Sequence, residues 1–168
     1  KGLNQNSAQG DRAILNVLSD FGAKVTLDKD CVTIKRGKFK PFTFDANDCP
    51  DLVPILAVLA SFAKGESKIT NVERLKIKES DRIETVLKTL SSFGVKGDSD
   101  GKTLTVYGGN PKIGKALSFN DHRIAMSGAV LATATSGKSV INMAEAVNKS
   151  YPTFYKDLNS VGGKAYEI

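Results

Sequence analysis

Two short charged runs, KESDR (residues 78–82) and NDHR (120–123), hold most of the chemistry this sequence could perform. A third, CPDLVP (49–54), sets Asp51 at the start of an apolar run, and Lys149 just precedes the last aromatic stretch. Asp51 and Glu79 are candidate acid and base, because proton transfer needs positioned carboxylates. Arg82 and Arg123 are candidate forks for a carboxylate or phosphate, which the planar guanidinium grips with two hydrogen bonds. Arginine is scarce here, five against 19 lysines. Three of the five, Arg74, Arg82 and Arg123, fall in or beside these runs. A cation in the first turn of a helix opposes the helix dipole by about 0.3–1 kcal/mol, so helix stability does not explain them. Plainer readings stand beside each residue. An aspartate opening a helix is usually a cap, as Asp51, Asp81 and Asp121 could all be. Arg82 could be spent on a local ion pair with Glu79. His122, the single histidine, could be structural.

What positions these groups is an internal repeat. Shifted by 72 residues, Ile14, Leu15, Leu18, Phe21 and Gly22 fall on Val86, Leu87, Leu90, Phe93 and Gly94. Val32, Thr33, Ile34 and Gly37 fall on Leu104, Thr105, Val106 and Gly109. Val58 to Ala60, Gly65, Ser67 and Ile69 fall on Val130 to Ala132, Gly137, Ser139 and Ile141. A third copy opens at Phe154, Tyr155, Leu158 and Gly162. Agreement in order, apolar spacing and glycines marks a repeat architecture, with units at about 11–80, 81–149 and a truncated 150–168 making one domain over 1–168.

Each unit reads as an amphipathic helix (11–21, then 81–93) stopped by glycine. Alternating strand segments follow at Val25/Leu27, Val32/Ile34 and Phe42/Phe44, matched by Leu104/Val106 and Leu117/Phe119. A second helix through PDLVPILAVLASFA or DHRIAMSGAVLATA is apolar or small on nearly every face, which predicts burial all round. SKITNV and KSVINMA are predicted closing strands. The third copy is predicted to hold one helix and one strand, Lys164 to Ile168, and to be completed from elsewhere in a longer parent chain. Asp51 and Arg123 occupy equivalent positions, and KESDR and Lys149 each precede a first helix. Helix N-termini, with their unpaired N–H groups, are therefore predicted to gather at one pole, a ready anion site.

Composition narrows the partners. The net charge of +6 over 168 residues favours anions. The lysines are scattered among acids and tryptophan is absent, which is not the pattern of nucleic-acid recognition. No stretch reaches the roughly 18 apolar residues of a membrane span. Cys31 and Cys49 have no zinc or disulfide-framework spacing and are expected to be reduced. The chain opens on Lys1, not Met, so the parent N-terminus and any targeting segment are expected to lie outside it.

KESDR and NDHR about forty residues apart, preceded by CPDLVP, resemble the 5-enolpyruvylshikimate-3-phosphate synthase family. The likeness extends from NSAQGD (6–11) to NKSYPTF (148–154). It implies an α/β fold of βαβαββ units, with buried helices and outer mixed sheets, forming one domain of a two-domain parent. It implies transfer of the enolpyruvyl group of phosphoenolpyruvate to the 5-hydroxyl of shikimate 3-phosphate, with release of phosphate, in the shikimate pathway of aromatic amino-acid biosynthesis. By position, Asp51 would help deprotonate that hydroxyl and Glu79 would serve proton transfer at the methylene carbon. Lys78 would touch the shikimate moiety, and Arg74 stands where some relatives place an asparagine that does so. Arg82, Arg123 and Lys149 would hold phosphoenolpyruvate, and His122 would orient Glu79. The resemblance implies no cofactor, no metal, a monomer and a cytoplasmic location, with the shikimate-phosphate cradle and one catalytic lysine in a missing N-terminal domain. The alternatives are the sister transferase acting on UDP-N-acetylglucosamine, against which KESDR and NDHR argue, and a non-catalytic anion-binding module.

Overall fold

A computed structural model describes residue 4, residues 6–29 and residues 31–168. A 3-10 turn, Gly10–Ala13, leads into α1 (Ile14–Asp20), followed by β1 (Lys24–Asp28), β2 (Cys31–Lys35) and β3 (Thr43–Asp45). A second 3-10 turn, Pro50–Leu52, opens α2 (Val53–Ala60), and β4 (Gly65–Thr70) closes this first run of elements. After a 3-10 segment, Glu73–Ile77, the order recurs: α3 (Arg82–Ser92), β5 (Lys96–Ser99), β6 (Thr103–Gly108), β7 (Lys115–Leu117), α4 (His122–Thr133) and β8 (Val140–Asn142). The chain then forms a 3-10 segment, Ala144–Lys149, and α5 (Phe154–Ser160).

Backbone conformation repeats with the sequence. Gly22, Gly94 and Gly162 each follow a first helix and all adopt positive φ (102°, 72° and 104°), a conformation that costs glycine little and other residues more. Asn71 and Met143, one repeat apart, share left-handed φ values of 56° and 55°.

The sheets interlock the two runs. β1 and β2 form an antiparallel hairpin, and β7 and β8 a parallel pair. A third, four-stranded sheet is ordered β3-β4-β6-β5, in which β3 runs parallel to β4 and β4 runs antiparallel to β6. Helices α2, α3 and α4 meet around Pro54, Val58, Val86, Leu90 and Ile124. The sheet covers them with Ile69, Leu104 and Val106, all 0 % exposed. α2 has every residue buried except Ile55 and Leu59, which are half-buried, as its all-round apolar sequence requires. α4 is less enclosed, with Thr133 exposed and Arg123, Met126, Val130 and Ala132 half-buried. Helix and sheet approach closely where β6 ends: a Cβ on Gly108 would lie 2.1 Å from the Ala60 carbonyl oxygen.

Two strand expectations need correction, and one further strand went unpredicted. Residues 164–168 form no strand, since none of the described strands pairs with them to supply the hydrogen bonds. Phe119 is not in β7; it turns left-handed at φ 55°, followed by Asn120 at 57°, swinging the chain out of the sheet and into α4. β5 was not among the predicted strands, because Lys96–Ser99 carries no apolar residue. The reason is packing: a Cβ on Gly97 would lie 2.9 Å from Leu87 Cδ2 and 3.0 Å from the Thr105 carbonyl oxygen.

Candidate active site

The KESDR and NDHR runs and Asp51 converge on one cluster organised by Arg82. Arg82 is the first residue of α3 and is 1 % exposed. Its Nε donates to Asp121 Oδ2 at 2.8 Å, and Nη2 reaches Asp121 Oδ1 at 3.3 Å. On the other edge, Nη1 donates to Asp51 Oδ1 at 2.8 Å and Nη2 donates to Glu79 Oε2. One guanidinium thus holds three carboxylates. Asp51 in turn gathers three cations, with Lys78 Nζ 3.3 Å from Oδ1 and Arg123 Nη2 3.0 Å from Oδ2. Arg123 and Asp51 are 72 residues apart in sequence, so the two equivalent helix starts face each other and their side chains pair.

The helix starts explain this convergence. Asp81 caps α3 by accepting from the N–H groups of Ile83 and Glu84, and Asp121 caps α4 by accepting from that of Arg123 at 2.9 Å. Asp51 does not do so, contrary to its expected role: it lies inside the 3-10 turn and its side chain makes no cap hydrogen bond. Its carboxylate is committed to the cations instead. The local-pair reading of Arg82 with Glu79 holds in part, as one of four contacts. Arg82 is therefore no open fork, whereas the Arg123 side chain is 31 % exposed.

The remaining predicted residues lie around this hub. His122 is buried, with Nδ1 3.9 Å from Glu79 Oε1 and without a hydrogen-bond partner among the described residues. Lys149 donates to the Asn120 carbonyl, beside Asp121. Arg74 is exposed and reaches the Asn47 carbonyl at 3.5 Å, outside the carboxylate network. Two contributors were missed from sequence: Asp121 as the buried partner of Arg82, and Ser80, whose Oγ donates to Asp121 Oδ2 at 3.0 Å. A cap uses one carboxylate oxygen, and the NDHR run gave no sign of what the second would bind. Among the described residues no group of histidine, cysteine and acidic side chains is arranged to hold a metal. Among them, too, no helix is long and apolar enough to cross a membrane.

Electrostatics favour the ionised forms of Asp51 and Asp121. Burial pushes the Asp51 carboxyl up, but Arg123, then Lys78 and Arg82, outweigh it and leave its pKa below the ordinary value. Asp121 follows the same balance, with burial opposed by Arg82, the Arg123 N–H and Ser80, and also ends lowered. A carboxyl whose pKa is lower folded than unfolded stabilises the fold above its unfolded value, about 3.9, and that contribution is lost as pH falls through the folded value. The melting temperature is therefore expected to hold steady from pH 7 to about 5 and to fall below about 4. A melting temperature that rose between pH 5 and 3 would contradict the ionised assignment.

A mixed α/β domain of interlocked repeats, with cations and carboxylates gathered where its helices begin, has the enolpyruvyl transferase fold. Two solved structures superpose with TM-scores of 0.74: EPSP synthase from Acinetobacter baumannii, 26 % identical and matching 90 % of this chain and 39 % of its own, and the enolpyruvyl transferase NikO from Streptomyces tendae. NikO, at 24 % identity over 92 % of this chain and 37 % of its own, speaks for the fold alone. The chain belongs to the EPSP synthase (3-phosphoshikimate 1-carboxyvinyltransferase) family, whose family model matches residues 1–158. Curated 3-phosphoshikimate 1-carboxyvinyltransferases of Clostridium kluyveri and Pyrococcus abyssi are 40 % and 42 % identical over 99 % and 95 % of this chain. The chain spans 39 % and 38 % of their lengths.

Proposed function

We propose that this chain supplies one wall of the active site of an enolpyruvyl transferase. The complete polypeptide would move the carboxyvinyl group of phosphoenolpyruvate to the 5-hydroxyl of shikimate 3-phosphate and release phosphate. The observation that carries this reading is the meeting of Lys78, Arg82 and Arg123 on Asp51, with Glu79 bridged to it by the same guanidinium. Asp51 accepts the proton of the acceptor hydroxyl and Glu79 handles the proton at the methylene carbon. Lys78, with Arg74 at the margin, contacts shikimate 3-phosphate. Arg123 and Lys149 grip phosphoenolpyruvate, and Arg82 offers it the Nη edge now occupied by Asp51 and Glu79. His122 stands behind Glu79. Catalysis is then positioning plus stabilisation of charge on a tetrahedral intermediate. Units at about 11–80, 81–149 and 150–168 carry this wall, and an N-terminal domain of the same polypeptide supplies the other. The complete polypeptide would act as a monomer in the cytoplasm, a reducing setting in which Cys31 and Cys49 would stay as free thiols.

The test is phosphate release by the complete polypeptide with phosphoenolpyruvate and each acceptor in turn. Release with shikimate 3-phosphate supports the reading. Release only with UDP-N-acetylglucosamine, or none with either, overturns it. The isolated chain is expected to melt cooperatively and to release no phosphate, since half the site is then absent; turnover by the chain alone would refute the two-wall arrangement. Arg123→Lys is expected to keep the charge, lose the fork and cost about 2–4 kcal/mol of transition-state stabilisation. Wild-type kinetics for that variant would reduce Arg123 to a partner of Asp51.

A further inference from the structure

Asp121 does more than a cap requires. Its Oδ1 accepts the Arg123 N–H, while Oδ2 takes both Arg82 Nε and Ser80 Oγ, and the side chain is 0 % exposed. Asp81, capping the neighbouring helix, accepts only backbone N–H groups. The repeat supplies an internal control. Position 121 is matched in the first unit by Cys49 and position 82 by Gly10, and neither of those two helix starts carries a side-chain cap hydrogen bond. Neither member of the buried pair is therefore needed to build the unit. Enclosing both charges costs desolvation that their attraction need not repay, so the pair calls for a use other than stability.

We propose that Asp121 is a positioning residue for the transfer reaction: it holds the Nε edge of Arg82, so that the Nη edge faces Asp51 and Glu79. Through Oδ1 the same carboxylate fixes the first turn of α4 and with it the origin of the Arg123 side chain. Ser80, which also shares a hydrogen bond with Thr85 at 3.2 Å, locks the Asp121 rotamer. One buried aspartate thereby sets the relative placement of both arginines and, through Arg82, the spacing of the two acid–base carboxylates. This inference rests on the proposed transferase reading.

The experiment is Asp121→Asn in the complete polypeptide, which keeps the size and an N-cap acceptor but removes the charge. The value of kcat/KM for phosphoenolpyruvate is expected to fall about 10–100-fold, the scale seen when a partner orienting a binding group is lost. In an Arg82→Lys background the same change is expected to matter less than about 3-fold, because coupled residues are not additive. Ser80→Ala, which leaves the cap intact, is expected to lower kcat/KM about 2–10-fold and to lose that effect in the same background. It serves if Asp121→Asn does not fold. Wild-type kinetics for both variants, or equal losses with and without Arg82, would overturn the proposal. A readout independent of turnover is hydrogen exchange at Arg82 Nε by nitrogen-15 NMR, expected to be slow in the wild type and fast in Asp121→Asn. Slow exchange in both refutes the positioning role, while absent phosphate release by the wild type refutes only the transferase reading.

Discussion

In the complete polypeptide, Asp51→Ala and Glu79→Gln are each expected to lower turnover by about 10²–10⁴-fold. The proposed addition step requires a hydroxyl to lose a proton while a methylene carbon gains one, so two placed groups are needed. The structure offers two carboxylates in unlike surroundings. Asp51 is held ionised by Arg123, Lys78 and Arg82 against the opposing effect of burial, which suits an acceptor beside a hydroxyl. Glu79 is the most exposed carboxylate of the cluster, 42 % at the side chain, with one oxygen on Arg82 and the other 3.9 Å from the unpartnered His122 Nδ1. Solvent deuterium entering the methylene of phosphoenolpyruvate separates the two: Glu79→Gln is expected to suppress that exchange more than it weakens substrate binding. Exchange at the wild-type rate in Glu79→Gln would remove Glu79 from the carbon-bound proton. Neither variant is expected to unfold the protein, and Asp51→Ala forfeits no helix cap, because Asp51 makes none.

Arg82→Met is expected to act on folding as strongly as on chemistry. It strips the only guanidinium from Asp121, whose side chain is fully enclosed, and an uncompensated buried charge costs about 3–5 kcal/mol. For a chain of this size each kcal/mol corresponds to about 2–4 °C, so the melting temperature is expected to drop by more than about 6 °C. Adding Asp121→Asn is expected to recover part of the loss by neutralising the stranded carboxylate. A single variant melting within about 2 °C of wild type would show that Asp121 gains compensation elsewhere, and the hub account of Arg82 would fail.

Much of this was legible in the residues, for reasons that separate cleanly. The repeat fixes which helix starts are equivalent, so Asp51 and Arg123 could be set at one pole before any coordinates. Apolar spacing located α1 and α3, the repeat carried it to α5, the apolar runs located α2 and α4, and the all-apolar run of α2 announced its burial. Charge partnership was not legible. An aspartate before a helix looks the same whether its second oxygen faces water or a buried guanidinium, so Asp121 read as a cap and no more. Asp51 failed in the opposite sense: its helix opens as a 3-10 turn, and three cations from distant segments claim the carboxylate. β5 was invisible because its inward position had to be the smallest residue available. The strand expected at residues 164–168 lacked what no pattern in a segment can provide, a neighbour.

The pairing of β4 with β6 reaches beyond architecture. A closing strand that bonds to the following unit, and not to the hairpin of its own, leaves a solitary unit with open hydrogen-bonding edges on both sides. Such a unit, cut out and expressed by itself, would present those edges to solvent, where they are a template for pairing with other copies.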